Sequence, residues 1–102
     1  MKTSIIVAAA LAFASVGAWA DTAEAMTKAG CMACHAKDKK IVGPAFKDIA
    51  AKYKGQDVTA ALMQKVRTGG KGVFGPVPMA PNPPEKINDA DLKAAVELIL
   101  KS

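Results

Sequence analysis

Apolar residues recur at helical spacing in three stretches of the chain, and nowhere with the two-residue alternation of a strand. Phe46, Ile49, Ala50 and Tyr53 share one face of a segment from Ala45 to Lys54 that Gly55 stops; Val58, Leu62 and Val66 repeat every four residues from Val58 to Thr68. Leu92, Ala95, Val96, Ile99 and Leu100 form the stripe of an amphipathic C-terminal helix. Punctuation between these stretches agrees with the periodicity. Asp21, with Glu24 three residues on, suits the start of a helix that Gly30 ends; Gly43-Pro44 marks a turn; Asp57 can cap the third helix, which Gly69 closes; Asn88, with Asp91 three later, opens the last. The expected fold class is all-α, with about four short helices.

One region breaks the pattern. Between Gly69 and Pro84 stand Gly69, Gly70, Gly72 and Gly75, then Pro76, Pro78, Pro81, Pro83 and Pro84. Neither helix nor sheet survives that density of Gly and Pro, so a structured loop of about sixteen residues is expected, a length usually reserved for function.

The 102 residues allow one domain, and the first 20 differ from the rest. Lys2 gives a positive start, Ile5 to Ala14 is continuously apolar, and Ala18-Trp19-Ala20 is a small-x-small cleavage pattern before Asp21. We read residues 1–20 as a cleaved secretion signal and residues 21–102 as the working domain. A membrane anchor is disfavoured, because Ile5 to Ala20 is 16 residues, short of the roughly 18 to 20 that span a bilayer. No cysteine follows the run to take a lipid. The protein is thus expected in the periplasm, soluble and monomeric. Its 82 remaining residues build only a small core, so something other than side chains is expected to complete it.

Cys31-Met32-Ala33-Cys34-His35 supplies that something. Cys-x-x-Cys-His is the attachment signature of c-type haem: two thiols in one turn can each add to one haem vinyl group, and the adjacent imidazole is directed to the iron. His35 is the only histidine of the chain. Two other uses of the cysteines carry less weight. A redox disulfide of the thioredoxin kind belongs after a strand, and no strand pattern is present. A structural zinc site would have to recruit a carboxylate, because the chain offers two Cys and one His.

Iron bound by one histidine needs a sixth ligand, and Met26, Met32, Met63 and Met79 are the candidates beyond residue 20. Met32 lies inside the attachment motif on the histidine's side. Met63 sits in a helix beside Leu62, and Met26, on the first helix, is expected to pack against the last. Met79 is flanked by prolines in Gly75-Pro76-Val77-Pro78-Met79-Ala80-Pro81-Asn82, which stiffen its backbone, and it follows His35 by 44 positions, enough chain to wrap round a ring edge. We assign His35 and Met79 as axial ligands. A neutral thioether favours ferrous iron and raises the reduction potential.

With these residues in place the chain resembles a small bacterial class I cytochrome c, most similar to the denitrifier-type "five-five-one" group. The resemblance covers nearly all of residues 21–102. It runs through Gly30-Cys31-Met32-Ala33-Cys34-His35, Val42-Gly43-Pro44-Ala45 with Lys47-Asp48, Gly72-Val73-Phe74-Gly75-Pro76, and Pro78-Met79 with Pro81-Asn82. It implies one covalent haem c wrapped by short helices with a proline-rich distal loop, and electron transfer by cycling Fe(II) and Fe(III), with no substrate transformed. It also implies that the Pro44 carbonyl accepts the Nδ1 proton of His35, that Asn82 donates a hydrogen bond near the Met79 sulfur, and that Lys65 lies near a haem propionate. Two residues depart from the group: Phe74 stands where a tryptophan is usual, and Ala80 where a further proline is common.

Charge completes the reading. Fourteen basic groups face nine acidic ones, and loss of Lys2 with the leader leaves 13 − 9 = +4. Lys28, Lys37, Lys39 and Lys40 gather around the attachment motif. The expected partners are redox proteins with an acidic docking surface: a nitrite reductase, terminal oxidase or peroxidase, and a membrane cytochrome complex, with association that slows as salt rises. Nucleic acid is excluded, since the lysines are spread along the chain and only Phe46, Tyr53 and Phe74 remain for stacking. Gly69-Gly70-Lys71-Gly72 lacks the spacing of a phosphate-binding loop and follows a helix instead of a strand.

Overall fold

Each apolar stripe becomes a helix face, and three of the helices meet on the last one. The computed structural model describes the backbone of residues 13–102 and the side chains of residues 21–102. Its helices are α1 (Phe13–Ala29), α2 (Cys31–Cys34), α3 (Phe46–Lys52), α4 (Thr59–Thr68) and α5 (Asp89–Leu100), with no strand among the described residues. α1, α3 and α4 pack against α5, and α2 packs against α1.

The core is built from Met26 and Ala29 of α1, Phe46 of α3, Leu92, Ala95 and Val96 of α5, and Ile87 just ahead of α5. Leu62, Met63 and Val66 of α4 lie partly buried against it. Met26 thus packs with the last helix, as its position suggested. Met26, Leu92 and Val96 are the largest fully buried side chains, each contributing about 1.5–3 kcal/mol by leaving water.

The helix ends follow local chemistry. Gly30 takes a left-handed φ of 89° and donates its N–H to Thr27 O at 3.1 Å, so α1 stops and α2 begins at once. At α5 the Asn88 Oδ1 accepts from the Asp91 N–H at 2.8 Å, while Asn88 Nδ2 donates to Asp91 Oδ2 at 3.1 Å.

Three expectations need correcting. The first helix does not start at Asp21: in the full chain Asp21 lies within α1, because the alanine-rich residues ahead of it continue the helix. The remainder of the expected leader, residues 1–12, lies outside the described residues. The five helices described fit the all-α expectation of about four, the additional one being the single turn that carries both cysteines. Asp57 is not the cap of α4; that position falls to Val58, which makes no side-chain cap bond, so the carboxylate sits one residue too early. The segment expected over 45–54 is helical over Phe46–Lys52, with Ala45 as its cap.

Candidate haem-binding site

The attachment motif folds through bonds that close over a few residues. His35 N–H donates to Cys31 O at 3.0 Å, and Cys34 O accepts from Gly43 N at 2.7 Å and from Val42 N at 3.2 Å, which returns the chain beneath the histidine. A bond of 2.7 Å joins His35 Nδ1 to Pro44 O. A carbonyl only accepts, so Nδ1 carries the proton, and in the neutral ring the lone pair falls on Nε2, the tautomer a metal-ligating imidazole requires. Two neighbours fix the ring. Phe46 stacks on it with centroids 5.3 Å apart and 20° between planes. Gly43 lies so close beneath it that an added β-carbon would come within 2.6 Å of Cε1. Both thiols are free, Cys31 half-buried and Cys34 exposed. Burial pushes the Cys31 thiol up from its ordinary value, against smaller opposing pulls from its backbone hydrogen bond and from Lys86.

Met79 is positioned from farther away. Its N–H donates to Gly70 O at 2.8 Å and its carbonyl accepts from Gly70 N at 3.0 Å, an isolated antiparallel pair that closes the base of the 70–79 loop. Gly69, with φ of 70°, runs so close behind that an added β-carbon would meet the Met79 carbonyl and come within 2.9 Å of Pro81 N. Asn82 is buried; its N–H donates to Val66 O at 3.0 Å, and its Nδ2 donates to Val66 O at 3.3 Å and Ala80 O at 3.1 Å. Both amide hydrogens are therefore engaged by carbonyls of α4 and the loop, where the resemblance put the amide near the sulfur. Lys65 lies beside the same loop: a side chain at Gly70 would come within 2.7 Å of its Nζ.

Sequence reasoning missed two residues here. Arg67 links α4 to Asn82, Ile87 and Asp89. Lys52 places its ammonium 5.8 Å from the ring centroids of both Tyr53 and Phe74, within cation–π range, and so joins α3 to the distal loop. The one available signal for Arg67 is composition, since it is the sole arginine among 13 lysines.

The donor set fits an iron porphyrin. An imidazole nitrogen with its partner proton already committed, a thioether on a stiff backbone and two free thiols are the groups a covalent haem takes. The segments carrying these donors also carry the exposed apolar side chains Met32, Ile41, Val42, Val73, Phe74 and Val77, the last 56 % exposed, as a large flat apolar ligand would want. Among the described residues no three His, Cys, Asp or Glu side chains converge, so a metal centre built from protein alone has no counterpart there.

Comparison with known proteins decides the family. The family model described as Cytochrome c matches residues 20–102. The chain belongs to the cytochrome c family. It is 51% identical to cytochrome c2 of Rubrivivax gelatinosus over 84 residues, covering 81% of this chain and 99% of that protein. It is also 45% identical to cytochrome c-551 of Pseudomonas aeruginosa over 86 residues, 82% of this chain and 80% of that one. The crystal structure of Nitrosomonas europaea cytochrome c552 superposes with a TM-score of 0.70 at 45% identity, covering 78% of this chain and 96% of the other. The fold is accordingly that of a class I cytochrome c of the small monohaem c-551 type, and the cofactor is one covalently bound haem c, with Cys31 and Cys34 in the attachment motif.

Proposed function

We propose that this cytochrome is an exported, monomeric carrier of single electrons between respiratory redox partners and not an enzyme. Bound haem would supply the redox change between Fe(II) and Fe(III); the chain supplies everything that keeps that change simple. Cys31 and Cys34 would hold the ring through thioethers, and His35 and Met79 would both ligate the iron, leaving no position for oxygen or peroxide. Pro44 fixes the tautomer of His35, Lys65 would face a propionate, and Asn82 stiffens the distal loop. Residues 1–20 direct export to the periplasm and are removed, leaving residues 21–102.

The observation that supports this reading best is the 2.7 Å contact between His35 Nδ1 and Pro44 O, which leaves Nε2 as the donor atom of the lone imidazole. No helix among the described residues is long and apolar enough to cross a membrane. The lysines at 37, 39 and 40 are all exposed, the charge that a small, transient docking patch would offer an acidic partner such as a nitrite reductase, a terminal oxidase, a peroxidase or a membrane cytochrome complex.

A redox titration followed by visible spectra tests the reading. The expected protein keeps its colour with the polypeptide in acid acetone, shows a sulfur-to-iron charge-transfer band when oxidised, and resists carbon monoxide when reduced. Rapid carbon monoxide binding at neutral pH would indicate a sensor or peroxidase instead. Colour extracted by the solvent would overturn covalent attachment.

A further inference from the structure

The last turn of α4 holds both ends of the segment that bears Met79. One end is covalent, through Gly69 and Gly70; the other is Asn82, bonded to Val66 O through both its N–H and its side chain. Arg67, the next residue of α4, extends this grip. Its Nη1 donates to Asn82 O at 3.0 Å and to Ile87 O at 2.7 Å, and its Nη2 donates to Asp89 Oδ1. Asn82 and Ile87 are buried, and the Arg67 side chain is only 17% exposed. Removing the guanidinium would therefore strip a charge-assisted donor from two carbonyls with little access to water.

The choice of residue supports a dedicated role. The chain uses lysine at 13 positions and arginine at this one. An ammonium serves wherever charge is enough; a planar fork is needed to meet three acceptors in fixed directions. Between its ends the segment has few other ties: the paired bonds of Met79 with Gly70 at its base, Asn82 Nδ2 to Ala80 O at 3.1 Å, Gly72 N–H to Gly75 O at 2.9 Å and the Lys52 contact with Phe74. Its opening is thus controlled at the base.

We propose that Arg67 is the positioning residue for Met79: by holding Asn82 and Ile87 to α4, it sets how often the 70–82 segment lifts and lets an outside ligand reach the axial position. The inference rests on the assignment of Met79 as ligand. Local opening of this kind is an equilibrium separate from global unfolding, so the two can be measured apart.

The test uses the ferric holoprotein as wild type, Arg67→Met, Arg67→Lys and Met26→Ala, the last a core variant on α1 that lowers global stability away from the loop. Cyanide binding is followed at saturating cyanide, where opening limits the rate, alongside the denaturant midpoint of each protein. Arg67→Met is expected to bind cyanide about tenfold faster or more, well above the rate of Met26→Ala at equal or greater loss of stability, with Arg67→Lys between. If the Arg67 variants and Met26→Ala fall on one line of rate against stability, or the rate does not move, Arg67 is merely structural and the proposal is overturned. Should Arg67→Met fail to fold, Arg67→Lys against Met26→Ala decides the matter in the same way. Absence of the sulfur-to-iron band in the wild type would sink the Met79 assignment and this proposal with it. The band present, with unaltered rates in the variants, would sink only the role of Arg67.

Discussion

His35 and Met79 each present one donor atom, but the bonds that hold them differ in reach. Around His35 the contacts close over short stretches of chain: four residues to Cys31 O, nine from Gly43 N to Cys34 O, and nine from the ring to Pro44 O. Around Met79 the residue's own N–H and carbonyl pair with Gly70, nine residues back, and the far end of its segment is anchored by ties spanning 15 residues from Arg67 to Asn82, 16 from Asn82 to Val66 and 20 from Arg67 to Ile87. Short closures cost little chain entropy and survive fluctuations of the rest, whereas long ones depend on α4 and α5 staying docked. The difference implies that the histidine side keeps its geometry while the methionine side opens first.

The largest blow to that asymmetry is Met79→Ala. It is expected to lower the reduction potential by about a hundred millivolts or more, since the axial ligand governs haem electronics, and to make carbon monoxide binding fast. A potential and spectrum that barely moved would hand the distal position to another residue. A pair of glycine variants sharpens the contrast at smaller scale. Gly69→Ala forces a β-carbon into the backbone of residues 79–81 at a φ of 70°, with an expected loss on the order of 3 kcal/mol. Gly43→Ala meets side-chain atoms of the His35 ring instead of backbone, at a φ outside the left-handed region, and is expected to lose about 1–2 kcal/mol. Denaturant melts of the two holoproteins give the comparison, and a larger loss for Gly43→Ala would reverse it.

The same contrast of reach separates what the sequence discloses from what it hides. The attachment motif, the turn at Gly43-Pro44 and the stripe of α5 are short-range patterns, and each can be read from neighbours in the chain. Met79 stands out among the methionines because prolines beside it constrain it locally. Arg67 carries no local mark: it sits among helix-forming residues, and its three acceptors lie 15 to 22 residues away. Ile87 is buried although it stands outside any helix, in a stretch whose composition says only loop. Asp57 shows the opposite failure, a residue with good capping chemistry displaced by one position from where the helix begins.

The closed pair of Gly70 and Met79 leaves residues 71–78 as an excursion whose two feet stand side by side. Insertions or deletions in that stretch would alter how far it projects while leaving the origin of the methionine side chain where it is. Loop length is thereby released from the placement of Met79, and the contour offered to other molecules can be redrawn there without moving that residue's backbone.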